Sequence, residues 1–369
     1  MGFEMVEEKR EPLARIRVVG VGGGGGNAIN NMIVQGMEGV EFIVVNTDAQ
    51  DLQRSRAVQK FQLGPDGLGA GGDPDKGREC ALEERERLTE LVEGCDMVFI
   101  AAGMGGGTGT GAAPIVAQIA KECGALTVAV VTRPFSFEGS KRRKQAELGI
   151  ENLRQCVDTL ITIPNQRLLA ITNEKTTVRE AFEKADRVLY QAVKGVSDLI
   201  NISGQVNVDF ADVKSIMQDK GIALMGVGQA ANEDRVMLAA QMAINSPLLS
   251  EVSLSGARSV LVNITSSSNI GLMEMSEASQ MIEEEAHEDV NLIWGWIVDE
   301  DMGDEVRVTV IATDFQEGWQ PSTPVPGSAT KKPTGGINRP KTGLFGGSKP
   351  QGGSSTGGSI PPFFNKDRH

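Results

Sequence analysis

The residues best suited to binding a ligand lie in a glycine-rich stretch from Gly103 to Gly111. It follows an apolar run, Met97 to Ala102, that predicts a buried strand, and it precedes Ala112 to Cys123, where apolar residues recur at helical spacing. Glycines let the backbone approach a ligand closely, and free N–H groups at a helix start attract anions. The stretch therefore predicts a phosphate-binding loop. No lysine follows the glycines, so the Walker pattern is absent.

Two hydroxyl side chains stand within this stretch. Thr108 and Thr110 have the reach to contact phosphate oxygens or a hydrated magnesium ion. The alternative, a flexible glycine linker, is disfavoured because linkers are seldom placed directly between a buried strand and a helix.

A second glycine-rich junction lies near the start of the chain. Ile16 to Val21 predicts a strand, Gly22 to Gly26 a turn, and the following residues a helix through about Gln35. Asp48 ends the next strand about 22 residues after Gly26, an arrangement that resembles the dinucleotide fingerprint. A dinucleotide-dependent oxidoreductase is therefore one hypothesis. A classical dinucleotide site needs only one such loop, whereas a nucleoside triphosphate can use both.

A third glycine-rich segment, Gly64 to Gly77, is too long to be a simple turn. Two interpretations stay open from the sequence. It is either a switch segment near a γ-phosphate or a solvated insertion.

Composition excludes several classes of protein. Only 4% of the residues are aromatic, so the core must be built mainly from aliphatic side chains. The net charge of −13 argues against a nucleic-acid binder. No apolar run approaches the roughly 18 to 20 residues that span a bilayer, and residues 1–12 are charged rather than signal-like, which predicts a cytoplasmic protein without direct membrane insertion. The four cysteines form no C-x-x-C pair, which argues against zinc and disulfides: Cys80, Cys95, Cys123 and Cys156.

The order of predicted elements indicates an α/β fold. Strands alternate with helices over residues 13–165, which predicts a parallel, doubly wound sheet with its ligand at the carboxyl ends of the strands. A long helical pattern follows, and then a second α/β unit with four strands in the order strand-helix-strand-helix-strand-strand. The predicted limits are 1–12 for an arm, 13–176 for a nucleotide-binding domain, 177–200 for a central helix, 201–317 for a second domain, 318–358 for a linker and 359–369 for a docking peptide.

The long helix carries a pair of residues that suits a purine base. Phe182 and Asp186 stand four residues apart, so an aromatic ring and a carboxylate share one face. A carboxylate that accepts two N–H bonds suits guanine and not adenine. The alternative interpretation places Phe182 in the core and Asp186 on the surface.

Two acids follow the long helix. Asp209 and Asp212 are spaced like a helix cap with an acid in the first turn. If the nucleotide lies at the opposite end of the long helix, these carboxylates cannot easily reach the nucleotide of their own chain. They are then placed to serve a neighbouring subunit.

The carboxyl-terminal tail regains apolar residues after a linker rich in Gly, Pro, Ser and Thr. A short apolar motif on such a tether is typical of a docking peptide for a groove on a partner, and an idle terminus is the alternative. The motif consists of Ile360, Pro361, Pro362, Phe363 and Phe364.

Taken together, residues 13–315 resemble the FtsZ family, the bacterial tubulin-like division GTPases. The motif at 105–111, GGGTGTG, is the tubulin signature. Five further motifs are similar to those of the family: GVGGGGGNA at 20–28, VNTDAQ at 45–50, PFSFEG at 134–139, ITIPN at 161–165 and NVDFADV at 207–213.

The resemblance implies a tubulin-like fold, with a Rossmann-like GTPase domain joined by the central helix to a smaller α/β domain. It implies binding of GTP and GDP, with Mg²⁺ held through phosphates and water rather than by protein side chains. It further implies assembly-dependent hydrolysis in a head-to-tail homopolymer that forms the division ring at mid-cell beneath the membrane. The tail would bind membrane-tether and division proteins. The alternative is a nucleotide-gated scaffold with little turnover.

The same resemblance implies roles for individual residues. The residues that hold the phosphates would be Gly22, Gly23, Gly24, Gly25, Gly26, Asn27, Ala70, Gly71, Gly72, Gly105, Gly106, Gly107, Thr108, Gly109 and Thr110. Glu138 and Arg142 would bind the ribose, and Asn165, Phe182 and Asp186 the guanine. Asn46, Asp48 and Gly103 would also belong to the GTP site. The catalytic residues, acting on the neighbouring subunit, would be Asn207, Asp209 and Asp212.

Three positions, one in the third glycine-rich segment and two in the tail, depart from the pattern of the family. Asp73 stands where the family more often carries Asn, and it adds a negative charge near the expected γ-phosphate. Phe364 and Asn365 stand where a Leu and a basic residue are common.

Overall fold

The structure, a computed structural model, describes residues 14–171, 175–202, 204, 206, 208–249 and 254–315. The predicted arm, the predicted linker and the docking peptide, with Ile360 to Phe364, lie outside the described residues. So does Asn207.

The described strands and helices alternate along most of the chain. The strands are β1 (Ile16–Val21), β2 (Glu41–Asn46), β3 (Gln59–Gln62), β4 (Met97–Gly103), β5 (Leu126–Arg133), β6 (Thr159–Pro164), β7 (Gly221–Ala231), β8 (Ala257–Ser266), β9 (Asn291–Val298) and β10 (Glu305–Phe315). The α-helices are α1 (Gly22–Val34), α2 (Ala49–Arg54), α3 (Pro74–Glu83), α4 (Arg85–Val92), α5 (Thr108–Glu122), α6 (Ser140–Arg154), α7 (Asn165–Leu168), α8 (Val178–Asn201), α9 (Phe210–Met217), α10 (Arg235–Ile244) and α11 (Leu272–Glu285).

The described strands form a ten-stranded sheet in the order β3-β2-β1-β4-β5-β6-β7-β10-β8-β9. The first six strands of the chain are parallel, and the order of elements after β7 agrees with the sequence pattern. The sequence pattern suggested a four-stranded sheet for the second unit. In the structure its strands β7 to β10 continue the parallel sheet, because the start of β6 pairs in parallel with the start of β7 over Thr159–Ile161 and Gly221–Ala223.

Two layers of helices cover the parallel part of the sheet. Side chains on one face of β1, β4 and β5 pack with α1 and α8 in one apolar cluster, and those on the other face pack with α5 and α6 in a second. The strand β4 is buried along nearly its whole length, which explains its continuous apolar sequence. Among the described residues, no helix combines the length and the apolar character that crossing a bilayer requires.

Several predicted boundaries were wrong near the glycine-rich segments. α1 begins at Gly22 and α5 at Thr108, so residues assigned to turns belong to the first helical turns. Helical propensity disfavours glycine, but tertiary packing outweighs this preference here. The charged residues 78–91, which the sequence pattern alone would place in one helix, belong to two helices, α3 and α4, that meet at Glu84. The short elements α2 and β3 carry little periodicity and were missed.

The long helix α8 runs from the carboxyl ends of the parallel strands to their amino ends. Thr177 caps it, and Glu180 completes a capping box by accepting from the Thr177 N–H at 2.7 Å. Its 24 residues span about 36 Å. Phe182, near its start, contacts Phe135 beyond the carboxyl end of β5. Asn201, at its end, donates to the Gly39 carbonyl just before β2.

In the second unit, α10 lies directly on β7 because two strand residues have no side chain. A Cβ atom at Gly226 would lie 2.0 Å from the Ala243 oxygen, and one at Gly228 would lie 1.9 Å from the Ala239 oxygen. Both contacts are with helix backbone, which cannot rotate away as a side chain can. The glycines therefore set the distance between strand and helix.

The change Gly228→Ala should lower the free energy of unfolding by about 2 to 3 kcal/mol, because the new methyl group must push α10 off the sheet. Chemical denaturation without nucleotide measures this. Gly256→Ala is the matched control, since its Cβ would make an ordinary 3.6 Å contact with Phe315. Both changes remove the same backbone freedom from the unfolded chain. Equal stability of the two variants would contradict the packing argument.

Candidate functional site

Two helices begin side by side at the carboxyl ends of the parallel strands, which we call the carboxyl edge of the sheet. β1 pairs with β4, so α1 and α5, which follow these strands directly, start next to each other. Neither helix start receives a capping hydrogen bond from a side chain. Their first N–H groups are therefore available to an anion, and both helix dipoles favour negative charge at the same place.

The two glycine-rich segments touch through their backbones. A Cβ at Gly22 would lie 2.8 Å from the Gly109 nitrogen, and a Cβ at Gly109 would lie 2.6 Å from the Gly103 oxygen. Any side chain at these positions would separate the two helix starts. The glycines predicted from the sequence are thus required by close approach of one chain segment to another.

The third glycine-rich segment lies against the other two, and we call the three segments together the cradle. A Cβ at Gly107 would lie 2.7 Å from the Ala70 side chain and 3.0 Å from the Asp73 nitrogen. Gly71 and Gly72 have φ of 62° and 76°, and atoms added there would meet open space. The structure therefore brings the segment beside the tubulin-signature motif, with its glycines on an open side.

Asp73, which departs from the pattern of the family, caps the helix that follows it. Its carboxylate accepts from the Asp75 N–H at 3.0 Å, and Pro74 occupies the first helical position. The added charge is thus directed at the start of α3.

The threonine hydroxyls stabilise the cradle itself. The Thr110 hydroxyl is buried and accepts from the Gly105 N–H at 2.8 Å. The Thr108 hydroxyl lies 2.6 Å from that of Thr47. Thr47 was not among the predicted site residues, although it stands inside the VNTDAQ motif.

Asp48 caps α2 rather than standing free. Its Oδ1 accepts from the N–H groups of Gln50 at 2.8 Å and Asp51 at 3.3 Å, and its own N–H donates to Asn46 Oδ1 at 3.3 Å. In the dinucleotide fingerprint an acid at this position faces a ribose. The observed local capping weakens the dinucleotide hypothesis.

Glu138 and Arg142 form an ion pair next to the signature motif. Arg142 Nη1 lies 3.0 Å from Glu138 Oε2, and Glu138 Oε1 accepts from the Phe135 N–H at 2.8 Å. Gly105 has φ of 96°, and a Cβ there would lie 2.5 Å from the Arg142 oxygen. The two residues predicted for the ribose therefore lie together and against the phosphate cradle.

Three aromatic rings meet beside this pair. Phe135 stacks on Phe137 with ring centroids 5.1 Å apart, and Phe182 meets Phe135 edge-on at 5.3 Å. Phe135 is fully buried, whereas Phe137 and Phe182 are 59% and 39% exposed. The exposed rings offer a surface on which a flat base can stack. Phe137 was missed from the sequence as a site residue, although the PFSFEG motif contains it.

Two polar side chains, Asn165 in α7 and Asp186 in the first half of α8, can accept hydrogen bonds from a ligand. Asn165 is 3% exposed, and its Oδ1 finds no hydrogen-bond partner among the described residues. Burial, with the charge of Glu183 adding, raises the pKa of Asp186 to about 7. A buried acceptor without a partner and a carboxyl with a raised pKa together indicate a ligand that brings N–H donors. The Watson–Crick edge of guanine, with its N1–H and N2–H groups, has that chemistry.

Asp209 and Asp212 lie at the other edge of the sheet. Both are exposed, and Asp209 Oδ1 accepts from the Asp212 N–H at 2.8 Å, so the predicted cap of α9 is confirmed. α9 follows the end of α8 near Gly39, and its Met217 carbonyl accepts from the Thr159 hydroxyl at the start of β6. The structure therefore does not bring these acids to the cradle of their own chain.

Within the described residues, no group of three His, Cys, Asp or Glu side chains is arranged to hold a metal ion. The cradle instead offers backbone N–H groups and the hydroxyls of Thr47 and Thr108. This donor set fits the phosphates of a nucleotide that carries its own hydrated Mg²⁺.

Comparison with protein families identifies both units of the chain. The GTPase domain of the tubulin/FtsZ family matches residues 15–173, and the C-terminal domain of the FtsZ family matches residues 221–316.

Solved structures agree with this assignment. An FtsZ from M. jannaschii, determined as an empty dimer, is 44% identical over 82% of this chain and 89% of its own, with a TM-score of 0.79. A mutant of FtsZ from the same organism is 43% identical over 84% of this chain and 94% of its own, with a TM-score of 0.80. CetZ2 from Haloferax volcanii, at 20% identity over 82% of this chain and 94% of its own, shares the fold with a TM-score of 0.71.

The cradle of three glycine-rich segments, the unpartnered Asn165 oxygen, which suits guanine, and the two domain matches lead to one assignment. The chain belongs to the tubulin/FtsZ family, whose members bind guanine nucleotides and hydrolyse GTP.

Proposed function

We propose that this protein hydrolyses GTP between the subunits of a head-to-tail filament, and that the filament forms the division ring of the cell. The observation that carries the proposal is the separation of the two halves of the chemistry. The nucleotide cradle lies at the carboxyl edge of the parallel sheet, whereas Asp209 and Asp212 are exposed near its amino edge. Stacking one subunit on another brings the two halves together.

In the proposed complex, the N–H groups at the starts of α1 and α5 bind the phosphates, with Gly71 and Gly72 closing the third side. Glu138 and Arg142 bind the ribose. Asn165 Oδ1 and the Asp186 carboxylate accept from the guanine, and the exposed ring of Phe182 packs on the base. The guanine contacts are supported by the Asn165 oxygen, which has no partner among the described residues, by the exposed ring of Phe182 and by the raised pKa of Asp186.

The neighbouring subunit supplies the groups that act on water. Asp209 is fixed by its bond to the Asp212 N–H, so its carboxylate orients the start of α9. The Asp212 side chain points from the first turn of α9 and is exposed. It accepts a hydrogen bond from the attacking water and holds it in line with the γ-phosphate. Mg²⁺ on the phosphates would reduce the repulsion between their charge and these acids.

Two solved relatives support assembly. One is described as an FtsZ dimer and the other as a protofilament of CetZ2 with GTPγS bound. We further propose a cytoplasmic location beneath the membrane at mid-cell, with Ile360 to Phe364 docking to a membrane tether or division protein. Asn207, beside Asp209 in the chain, is proposed to assist catalysis.

A nucleotide-gated scaffold with little turnover is the second candidate. The exposed position of both Asp209 and Asp212 argues against it, because a helix cap requires only the first of them. Turnover by the assembled protein distinguishes the two proposals.

Asp212→Asn should reduce GTP turnover by about 100-fold or more, because the amide is a far weaker base for water. Affinity for GDP should not change, since the altered side chain is remote from the cradle of its own subunit. Phosphate release and fluorescent nucleotide titration measure the two quantities. Asp234→Asn, an exposed acid outside α9, is the control and should keep full turnover. Turnover near the unaltered rate in Asp212→Asn would refute the catalytic role.

Turnover per molecule should rise steeply above a threshold protein concentration, together with light scattering, because each site needs two subunits. The same samples provide both readings. A turnover per molecule that stays constant down to low concentration would show that one subunit contains a complete site.

GDP affinity should fall about tenfold per pH unit as the pH drops below about 7. Guanine donates two hydrogen bonds to an ionised Asp186. Because the pKa of Asp186 is raised, its carboxyl is protonated at lower pH, and binding of guanine must then displace that proton. Titrations between pH 5.5 and about 8 test this.

The matched variant is Asp186→Asn. It should weaken GDP binding, remove the pH dependence and favour xanthosine diphosphate, whose O2 accepts from the new amide. A pH dependence that persists in Asp186→Asn would assign the titration to another group.

A further inference from the structure

Lys121, at the end of α5, joins two acids from different parts of the chain. Its Nζ lies 2.9 Å from Asp158 Oδ1 and 2.7 Å from Asp219 Oδ1. Asp158 is 3% exposed, and its other oxygen accepts from the Thr127 N–H at 2.8 Å. Asp219 is exposed, and its bond to Lys121 lowers the pKa of its carboxyl. One ion pair thus connects Lys121 to Asp158 at the start of β6, and a second connects Lys121 to Asp219.

Asp219 belongs to the tight turn between α9 and β7. It has φ of 55°, a left-handed conformation that few residues other than glycine adopt without strain. The Gly221 N–H donates to the Asp158 carbonyl at 2.9 Å, and Lys220 pairs with Asp314 at 2.9 Å. The turn is therefore bound to β6 through Gly221 and to β10 through Lys220, and Asp219 connects it to α5.

The same turn sets the position of α9. The carbonyls of Ile216 and Met217 accept from the hydroxyls of Thr313 and Thr159, which fixes the carboxyl end of the helix. Asp209 and Asp212 stand at the opposite end of this eight-residue helix. A shift of the turn would therefore move both carboxylates as one body.

α5 connects this turn to the nucleotide cradle. The helix starts at Thr108 in the cradle and is buried along most of its length. It reaches Lys121 after about 20 Å. One rigid element thus begins where the subunit binds its own nucleotide and ends at the contact that holds α9.

We infer that Asp219 is a positioning residue for GTP hydrolysis, acting through α9, with Lys121 as its anchor on α5. The inference rests on the proposed catalysis between subunits. It adds that the carboxylates presented to the neighbour are aligned by an ion pair fixed to the nucleotide-binding helix of their own subunit.

Asp219→Asn tests the inference with little risk to the fold. Asn tolerates the left-handed conformation and keeps an acceptor oxygen, but it removes the charge that attracts Lys121. Turnover per assembled subunit should fall about 5- to 20-fold, because small displacements of a catalytic group are costly. GDP affinity, the amount of polymer sedimented and the unfolding midpoint should stay unchanged. Asp234→Asn, a left-handed Asp at the start of α10, is the matched control.

A second set of variants tests the pairing itself. Lys121→Arg keeps the charge and should retain most of the turnover, whereas Lys121→Gln should lower it. The double variant Lys121→Gln with Asp219→Asn should be no slower than the slower single variant, since both changes break the same contact. Turnover is referred to the folded, assembled fraction, because Lys121→Gln also leaves the buried Asp158 without its cation.

The outcomes separate this inference from the proposed function. Unchanged turnover in Asp219→Asn, with turnover lost in Asp212→Asn, would overturn the positioning role and leave catalysis between subunits intact. Additive losses in the double variant would also overturn it. Full turnover in Asp212→Asn would overturn both. A lower unfolding midpoint in Asp219→Asn with normal turnover would show that the contact serves stability alone.

Discussion

The structure depends on the close approach of two helix starts at the carboxyl edge of one sheet. β1 and β4 are neighbours, and the helices that follow them present free N–H groups at the same place. Only glycine permits this spacing, because a Cβ at Gly22 or Gly109 would overlap backbone atoms. An anion stabilises the arrangement by accepting from groups that otherwise face water. The remaining contacts of the candidate site are built around that cradle.

Much of this was predictable from the sequence, because strand periodicity and glycine spacing are local signals. The α/β class, the long helix and the cap at Asp209 all follow from patterns within a few residues. The boundaries at Gly22 and Thr108 were not predictable in this way. There the packing of two chain segments against each other places Gly23 to Gly26 and Gly109 in helical turns, while Gly22 has φ of 72°, and a local propensity contains no information about that packing.

The parts that were missed depend on contacts between distant residues. The continuity of the sheet rests on three residue pairs between β6 and β7, whose strands are separated by the whole of α8 and α9. The edge-on contacts of Phe182 with Phe135 and Phe137 and the orphaned oxygen of Asn165 likewise appear only when separate segments meet. Similarity to the motifs of the family indicated that the segments at 134–139 and 161–165 belong to the site. Only the structure shows that the Phe137 ring is exposed and the Phe135 ring is buried.

The placement of cradle and carboxylates at opposite edges has a kinetic consequence for the filament that we propose. Its contacts are heterologous, so growth does not close into a dimer and the two tips are unlike. The tip that displays a cradle holds a nucleotide without the neighbouring acids, so that nucleotide exchanges with solvent but is not hydrolysed. The other tip displays acids without a substrate. Such a filament is polar, and it can gain subunits at one tip while losing them at the other.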